Sequence, residues 1–220
     1  MERTARYYTL GPEDGGAAIS AIWFVLHGHG QLAGAFVRFF SDIAAQGALV
    51  VAPEALNRFY LVSADSAPAR ERPVGATWMT REDRESEISD YVEYLDALYD
   101  EIATVRTAPP PVTVLGFSQG AATATRWVLN GRAPIERLVL WGGTTPPEID
   151  HAHNARLRHI GVTLVAGVRD QYITEEILAA ERTRLESAGV NPEVIQFDGG
   201  HVISRSVFPR LLSLNGPSDR

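Results

Sequence analysis

Short runs of β-branched and aromatic residues alternate along the chain with stretches in which apolar positions recur every three or four residues. Ile19 to Leu26, Ala48 to Ala52, Val112 to Leu115, Leu138 to Trp141, Val162 to Ala166 and Glu193 to Phe197 read as strands. Phe36, Phe39, Phe40 and Ile43 stand at helical spacing and predict one buried face. A long helix follows from about Arg84 to Thr104, with Ile88, Val92, Leu95, Tyr99 and Ile102 on one stripe. Ala121 to Leu129 is a helix stopped by Asn130-Gly131. Thr174 caps another, with Glu175 and Glu176 in its first turn and Gly189 at its end, and Ser206 to Leu214 is the last. Strands alternating with helices predict an α/β fold: a mostly parallel central sheet covered by helices on both faces.

One segment breaks the rhythm. Pro53 to about Asp83 shows little periodicity, yet it carries Phe59, Tyr60, Leu61, Trp78 and Met79. Long structureless loops are functional or disordered, and this one holds too much apolar surface to be purely solvated. It reads either as the wall of a pocket or as a loop packed down as a satellite core. The pocket reading makes Phe59, Trp78 and Met79, with Tyr172 from the far side, candidate substrate contacts. No repeat or linker interrupts the chain, so residues 1–214 are expected to form a single domain, with 215–220 a frayed tail.

Composition narrows the function. The chain has 220 residues, 45% hydrophobic and 21% charged, which is globular composition. Its net charge of −7 and scattered basic residues argue against a nucleic-acid partner. No apolar run approaches a membrane span, and the opening residues lack the apolar stretch of a signal peptide, so a cytoplasmic protein without integral membrane association is expected. Cysteine is absent, which excludes disulfides, thiolate metal sites and a cysteine nucleophile.

The chemistry centres on Gly116-Phe117-Ser118-Gln119-Gly120. This G-x-S-x-G pattern, with a strand before it and a small-faced helix after it, is the signature of a serine held on a sharp strand-to-helix turn. A serine hydroxyl needs a base within hydrogen-bonding reach. His201, behind Gly199-Gly200 and just after the last strand, is the candidate. The order serine, acid, histidine selects Asp170, after the Val162–Ala166 strand, as the group that orients the imidazole. Asp198 is the rival acid. Leu26-His27-Gly28-His29-Gly30, after a central strand, would supply one backbone N–H of an oxyanion hole, and Gln119 the other. His27 and His29 also invite a metal reading, as do His151 and His153, but neither pair has a further ligand at familiar spacing. No metal and no cofactor are expected.

These residues together resemble the phospholipase/carboxylesterase branch of the α/β hydrolases, which includes the acyl-protein thioesterases. The likeness is carried by His27-Gly28, Pro53, Trp78, the Gly116–Gly120 motif, Asp170 followed by Ile173, and Gly200-His201. The resemblance implies an α/β-hydrolase fold, a catalytic triad of Ser118, Asp170 and His201, and oxyanion positions at His29 and Gln119. The chain departs from the branch at His29-Gly30-Gln31, where Leu-Gly-Asp is usual, at Ala121, where a glycine is usual, and at Met79-Thr80, where an aromatic-Asp pair is frequent. Too little chain lies between Trp141 and the next strand for a cap domain. The expected function is hydrolysis of a small-molecule carboxylic ester or thioester of short to medium acyl length through an acyl-enzyme. A transferase or perhydrolase would use the same triad with a different second nucleophile, whereas a non-catalytic binding protein would need none of it.

Overall fold

In the computed structural model, residues 4–12, 19–62, 68–104, 110–148 and 154–214 are described. In chain order the strands are β1 (Tyr7–Leu10), β2 (Ile22–Leu26), β3 (Leu49–Pro53), β4 (Asn57–Tyr60), β5 (Val74–Thr77), β6 (Val112–Phe117), β7 (Ile135–Trp141), β8 (Gly161–Gly167) and β9 (Glu193–Phe197). Seven of them form one sheet in the order β1-β3-β2-β6-β7-β8-β9. All neighbours run parallel except the edge strand β1, which pairs antiparallel with β3. This is the α/β-hydrolase arrangement expected from the sequence.

Alternation along each strand divides the core into two layers. Phe24, Leu26, Val114, Leu138 and Leu140 point to one face, and Trp23, Val25, Leu115, Val139 and Trp141 to the other. Both faces are buried, which is why these strands read as continuous apolar runs. The helices α3 (Arg84–Thr104), α4 (Gln119–Asn130) and α6 (Glu175–Ser187) cover the first face through Tyr91, Leu95, Trp127, Leu178 and Leu185. The second is covered by α1 (Ala33–Phe36), a 3₁₀ turn (Val37–Phe40), α2 (Ser41–Ala45) and α7 (Phe208–Ser213), through Phe36, Phe40, Ile43 and Phe208. Between β7 and β8 the described chain holds only the short α5 (Asn154–Leu157), and no cap domain covers the strand ends. No helix among the described residues is long and apolar enough to cross a membrane.

Three expectations change. The single helix through Phe36–Ile43 is broken by the 3₁₀ turn, whose tighter winding rotates Phe39 outward to 41% exposure. The final helix begins as a 3₁₀ turn at Arg205–Val207, before α7 starts at Phe208 with Pro209 in its first turn. The segment read as structureless contains the β4–β5 hairpin, and the amino-terminal strand β1 had not been expected. Thr174 does cap α6, its hydroxyl accepting from the Ile177 N–H at 3.4 Å. The tail at 215–220 lies outside the described residues.

Every cationic Lys-or-Arg position in this chain is arginine, and the structure uses the branched guanidinium repeatedly. Arg126 bonds Glu148 through Nε at 2.7 Å and Tyr91 through Nη1 at 3.4 Å, while Arg184 reaches Glu181, Thr145 and Pro146. Such forks suit partly buried pairing better than a lysine point charge.

Asp96 on α3 gathers the end of α4. Its carboxylate accepts from Trp127 Nε1 at 2.9 Å and from the main-chain N–H groups of Arg132 at 2.9 Å and Ala133 at 3.4 Å. Asp96→Ala should therefore cost about 2–4 kcal/mol, because several buried donors lose their acceptor at once. Asp100→Ala, one turn on and exposed, should cost less than about 0.5 kcal/mol. Urea unfolding of both variants checks the contrast.

Candidate active site

Every parallel strand of the sheet's centre ends at the same edge, and the chemically significant loops collect there. Ser118 sits between β6 and α4 with φ 55° and ψ −119°, a conformation that side chains other than glycine seldom adopt. Its neighbours make the turn possible. A Cβ at Gly116 would strike the Gly120 carbonyl, and one at Gly120 would strike the Leu26 carbonyl, so both positions need glycine for close backbone approach. The turn is tied down by the Ser118 N–H donating to the Trp141 carbonyl at 2.9 Å.

Asp170 follows β8 and His201 follows β9. His201 Nδ1 lies 2.8 Å from Asp170 Oδ2, and the other carboxylate oxygen accepts from the Tyr172 N–H at 2.8 Å and the Ile173 N–H at 3.1 Å. Burial pushes this carboxyl upward, but the hydrogen bonds from His201, Ile173 and Tyr172 outweigh it and hold the group below its usual range. A carboxylate acceptor assigns the proton to Nδ1 and leaves Nε2 as the free base. The imidazole packs between Phe117 and Tyr172, with ring centroids 4.9 and 4.7 Å away. The turn after β7 links it to the serine. A Cβ on Gly142 would stand 3.0 Å from His201 Cε1, and one on Gly143 would stand 2.7 Å from the Ser118 carbonyl oxygen. Asp198 is exposed and pairs with Arg169 instead.

The loop after β2 approaches from the other side, where a Cβ on Gly28 would stand 3.1 Å from Ser118 Cβ. The two histidines of this loop differ completely. His27 is fully buried: Nδ1 donates to the Gly28 carbonyl at 2.8 Å, and Nε2 accepts from the Ala55 N–H at 3.1 Å. Burial lowers its pKa, the Gly28 contact and the Glu54 charge notwithstanding, so the ring is neutral. With both nitrogens engaged by backbone it has no lone pair left for a metal. His29 is exposed and stacks on Phe59 with centroids 5.0 Å apart. Among the described residues, neither the His29 nor the Gln119 main-chain N–H has an acceptor, although Gly28, Gly30 and Gln31 all do. No group of three His, Cys, Asp or Glu side chains stands together as a metal site among the described residues, and His151 and His153 lie outside them.

The β4–β5 hairpin flanks this loop. Phe59 meets His29, and Leu61, 46% exposed, lies against Gly30. Met79 is half-buried, its Sδ accepting from Arg126 Nη1 at 3.3 Å, and Tyr172 is exposed beside His201. Trp78 is different: at 1% exposure it cannot line a pocket. Its indole needed a buried acceptor and found the His27 carbonyl, so the residue belongs to the core beneath the site. Sequence reasoning also missed Gln31, whose Oε1 accepts from the Gly28 N–H at 2.8 Å, and Glu54, a buried carboxylate that binds Arg58 and the Ala33 N–H. A glutamate immediately after a buried strand was the one visible signal.

Comparison with known proteins agrees with this architecture. Residues 24–207 match the model of the family described as Serine hydrolase (FSH1). No curated protein sequence matches. Among solved structures, a carboxylesterase from Mesorhizobium loti is similar at a TM-score of 0.68 and 21% identity, covering 95% of this chain and 94% of its own. Zea mays acyl-protein thioesterase 2 gives 0.65 at 17% identity, with 94% and 96% covered. Arabidopsis thaliana SOBER1 gives 0.62 at 21%, with 88% and 96% covered. At these identities the neighbours establish the fold, an α/β hydrolase without a cap domain.

The two aspartates can be separated by experiment. With Asp170 read as the acid that orients a catalytic base, Asp170→Asn should reduce kcat on esters by about 10⁴-fold with the fold intact, because the imidazole loses its orienting charge. Asp198→Asn should leave kcat within about twofold, since only an exposed ion pair is lost. A carboxyl with a lower pKa folded than unfolded contributes stability fully above the ordinary carboxylate range and loses it as pH falls through the folded value. Below about pH 4 the wild type should therefore lose more stability than Asp170→Asn, as read by unfolding across pH.

Proposed function

The chain belongs to the Serine hydrolase (FSH1) family, and on that premise we propose that Ser118, His201 and Asp170 are the catalytic triad of an esterase cleaving short to medium acyl esters or thioesters. The observation that carries this reading is the 2.8 Å contact between His201 Nδ1 and the buried Asp170 carboxylate, beside a serine on a strained turn. Strain of this kind, worth about 1–3 kcal/mol, persists where function requires the conformation.

The reaction follows from the atoms. Ser118 Oγ attacks the carbonyl carbon while His201 Nε2 removes its proton, and Asp170 stabilises the resulting imidazolium. The carbonyl π electrons move to oxygen, and that oxyanion accepts from the His29 and Gln119 N–H groups, which have no other acceptor among the described residues. Collapse expels the alcohol or thiol, which takes the proton from Nε2, and leaves Ser118 acylated. Water then repeats the sequence, its proton passing to Nε2 and returning to Ser118 Oγ, and releases the carboxylic acid. Ser118 is half-exposed and no cap covers the described strand ends, so water reaches the acyl-enzyme. That access favours hydrolysis over transfer. Phe59, Met79 and Tyr172 offer apolar contact for the acyl or leaving group.

Ser118→Ala should abolish covalent labelling by a fluorophosphonate and the burst of product from an activated ester, and kcat should fall by about 10⁴-fold or more. Full labelling of the variant would move the nucleophile elsewhere. Phe59→Ala and Tyr172→Ala should shift the preferred acyl length in a graded way, each methylene being worth about 1–3 kcal/mol. A kcat/KM series on straight-chain esters reads this directly, and an unchanged profile in both variants would remove the two rings from the substrate's path.

A further inference from the structure

Trp78 touches both segments that present the His29 and Gln119 backbone N–H groups. Its indole N–H donates to the His27 carbonyl at 2.8 Å, and its main-chain N–H donates to Gln119 Oε1 at 3.1 Å. Its ring packs on the His27 imidazole with centroids 5.3 Å apart and meets Tyr91 edge-on at 6.2 Å. The residues around it continue the same stitching. Gln119 Nε2 donates to the Met79 carbonyl at 2.9 Å and to Thr77 Oγ1 at 2.9 Å. On the hairpin side, the Gly30 N–H donates to the Ala76 carbonyl at 2.8 Å, and the Ala76 N–H returns to the Gln31 carbonyl at 3.1 Å.

We propose that Trp78 is a positioning residue that sets the spacing between the His29 and Gln119 N–H groups, one end of it holding each segment. The inference rests on the reading of those two groups as the oxyanion hole. The physical reason is directional. A backbone N–H points where its peptide plane points, and the two donors come from loops with no covalent link shorter than the whole β2-to-β6 crossover. Trp78 supplies that link non-covalently, through one buried and one partly buried hydrogen bond. Removing the indole N–H leaves the buried His27 carbonyl without its donor, and the His27–Gly28 peptide that leads to His29 is then held only by the Gly28 N–H bond to Gln31 Oε1. Errors of about 1 Å in such sites cost on the order of 100-fold in rate.

The test is Trp78→Phe, which keeps a six-membered aromatic ring and removes the indole donor together with the five-membered ring that carries it. We expect kcat on a short activated ester to fall about 10- to 100-fold, with KM within about threefold. A trifluoromethyl ketone, which binds as a tetrahedral oxyanion, should weaken by the same factor as kcat, and the corresponding unreactive amide should not. A structural role alone lowers thermal stability and leaves kcat per folded molecule intact, and that result would overturn the proposal. So would equal weakening of the ketone and the amide. If Trp78→Phe does not fold, Gln119→Met carries the test: it cuts the other tether, keeps the main-chain donor, and must show the same split. The controls separate the levels: a wild-type protein that fluorophosphonate does not label at Ser118 defeats the reading of the site. Normal labelling with an unimpaired Trp78→Phe defeats only the role given to Trp78.

Discussion

The site depends on one steric constraint: at the serine turn, three backbones lie too close for any Cβ. Gly116 faces the Gly120 carbonyl and Gly120 faces the Leu26 carbonyl, so β6, α4 and β2 are locked at backbone distance. That contact forces the chain to reverse sharply after Phe117 and drives Ser118 to positive φ. It also brings the Gln119 N–H beside the loop that carries His29. The strain is tolerable because the strands on either side are buried on both faces, and five residues of β2 and six of β6 anchor the turn. Local discomfort is offset by apolar burial a few residues away.

Around that turn, burial and hydrogen bonding assign different states to similar groups. Asp170 is buried but satisfied on both oxygens, so it stays ionised. His27 is buried between a carbonyl and an N–H, an environment that fits only the neutral ring. His201 has Nδ1 engaged by Asp170 and no partner on Nε2 among the described residues, while His29 keeps its ring in solvent against Phe59. Three histidines close in space thus do three different things, and the second atom on each ring decides which.

Much of this was legible in the sequence where short-range pattern decides the outcome. The buried strands, the long helix Arg84–Thr104 and the Thr174 cap follow from periodicity and local hydrogen bonding. The serine turn was readable because sterics demand glycine at two fixed offsets. What escaped depends on partners distant in the chain. β1 owes its extended form to the β3 edge, 40 residues or more away in every register pair. The hairpin strands are four residues long, and their connection is too long to leave a turn signature. Trp78 looked like a pocket wall because an aromatic residue in an aperiodic segment carries no mark of its partner, and the partner was a carbonyl 51 positions earlier. Phe39 failed for the opposite reason: its local pattern was right for a regular helix that the chain does not form.

The all-arginine surface has a chemical consequence of its own. Activated esters and thioesters are mild electrophiles, and in most proteins they slowly acylate lysine amines and cysteine thiols. This chain has no side chain of either kind, and a guanidinium stays protonated and unreactive at any physiological pH. An enzyme turning over such compounds is therefore spared the gradual self-modification that would neutralise its ion pairs and erode Arg126–Glu148 or Arg184–Glu181. The branched cations that brace the fold offer no nucleophile to an acyl donor.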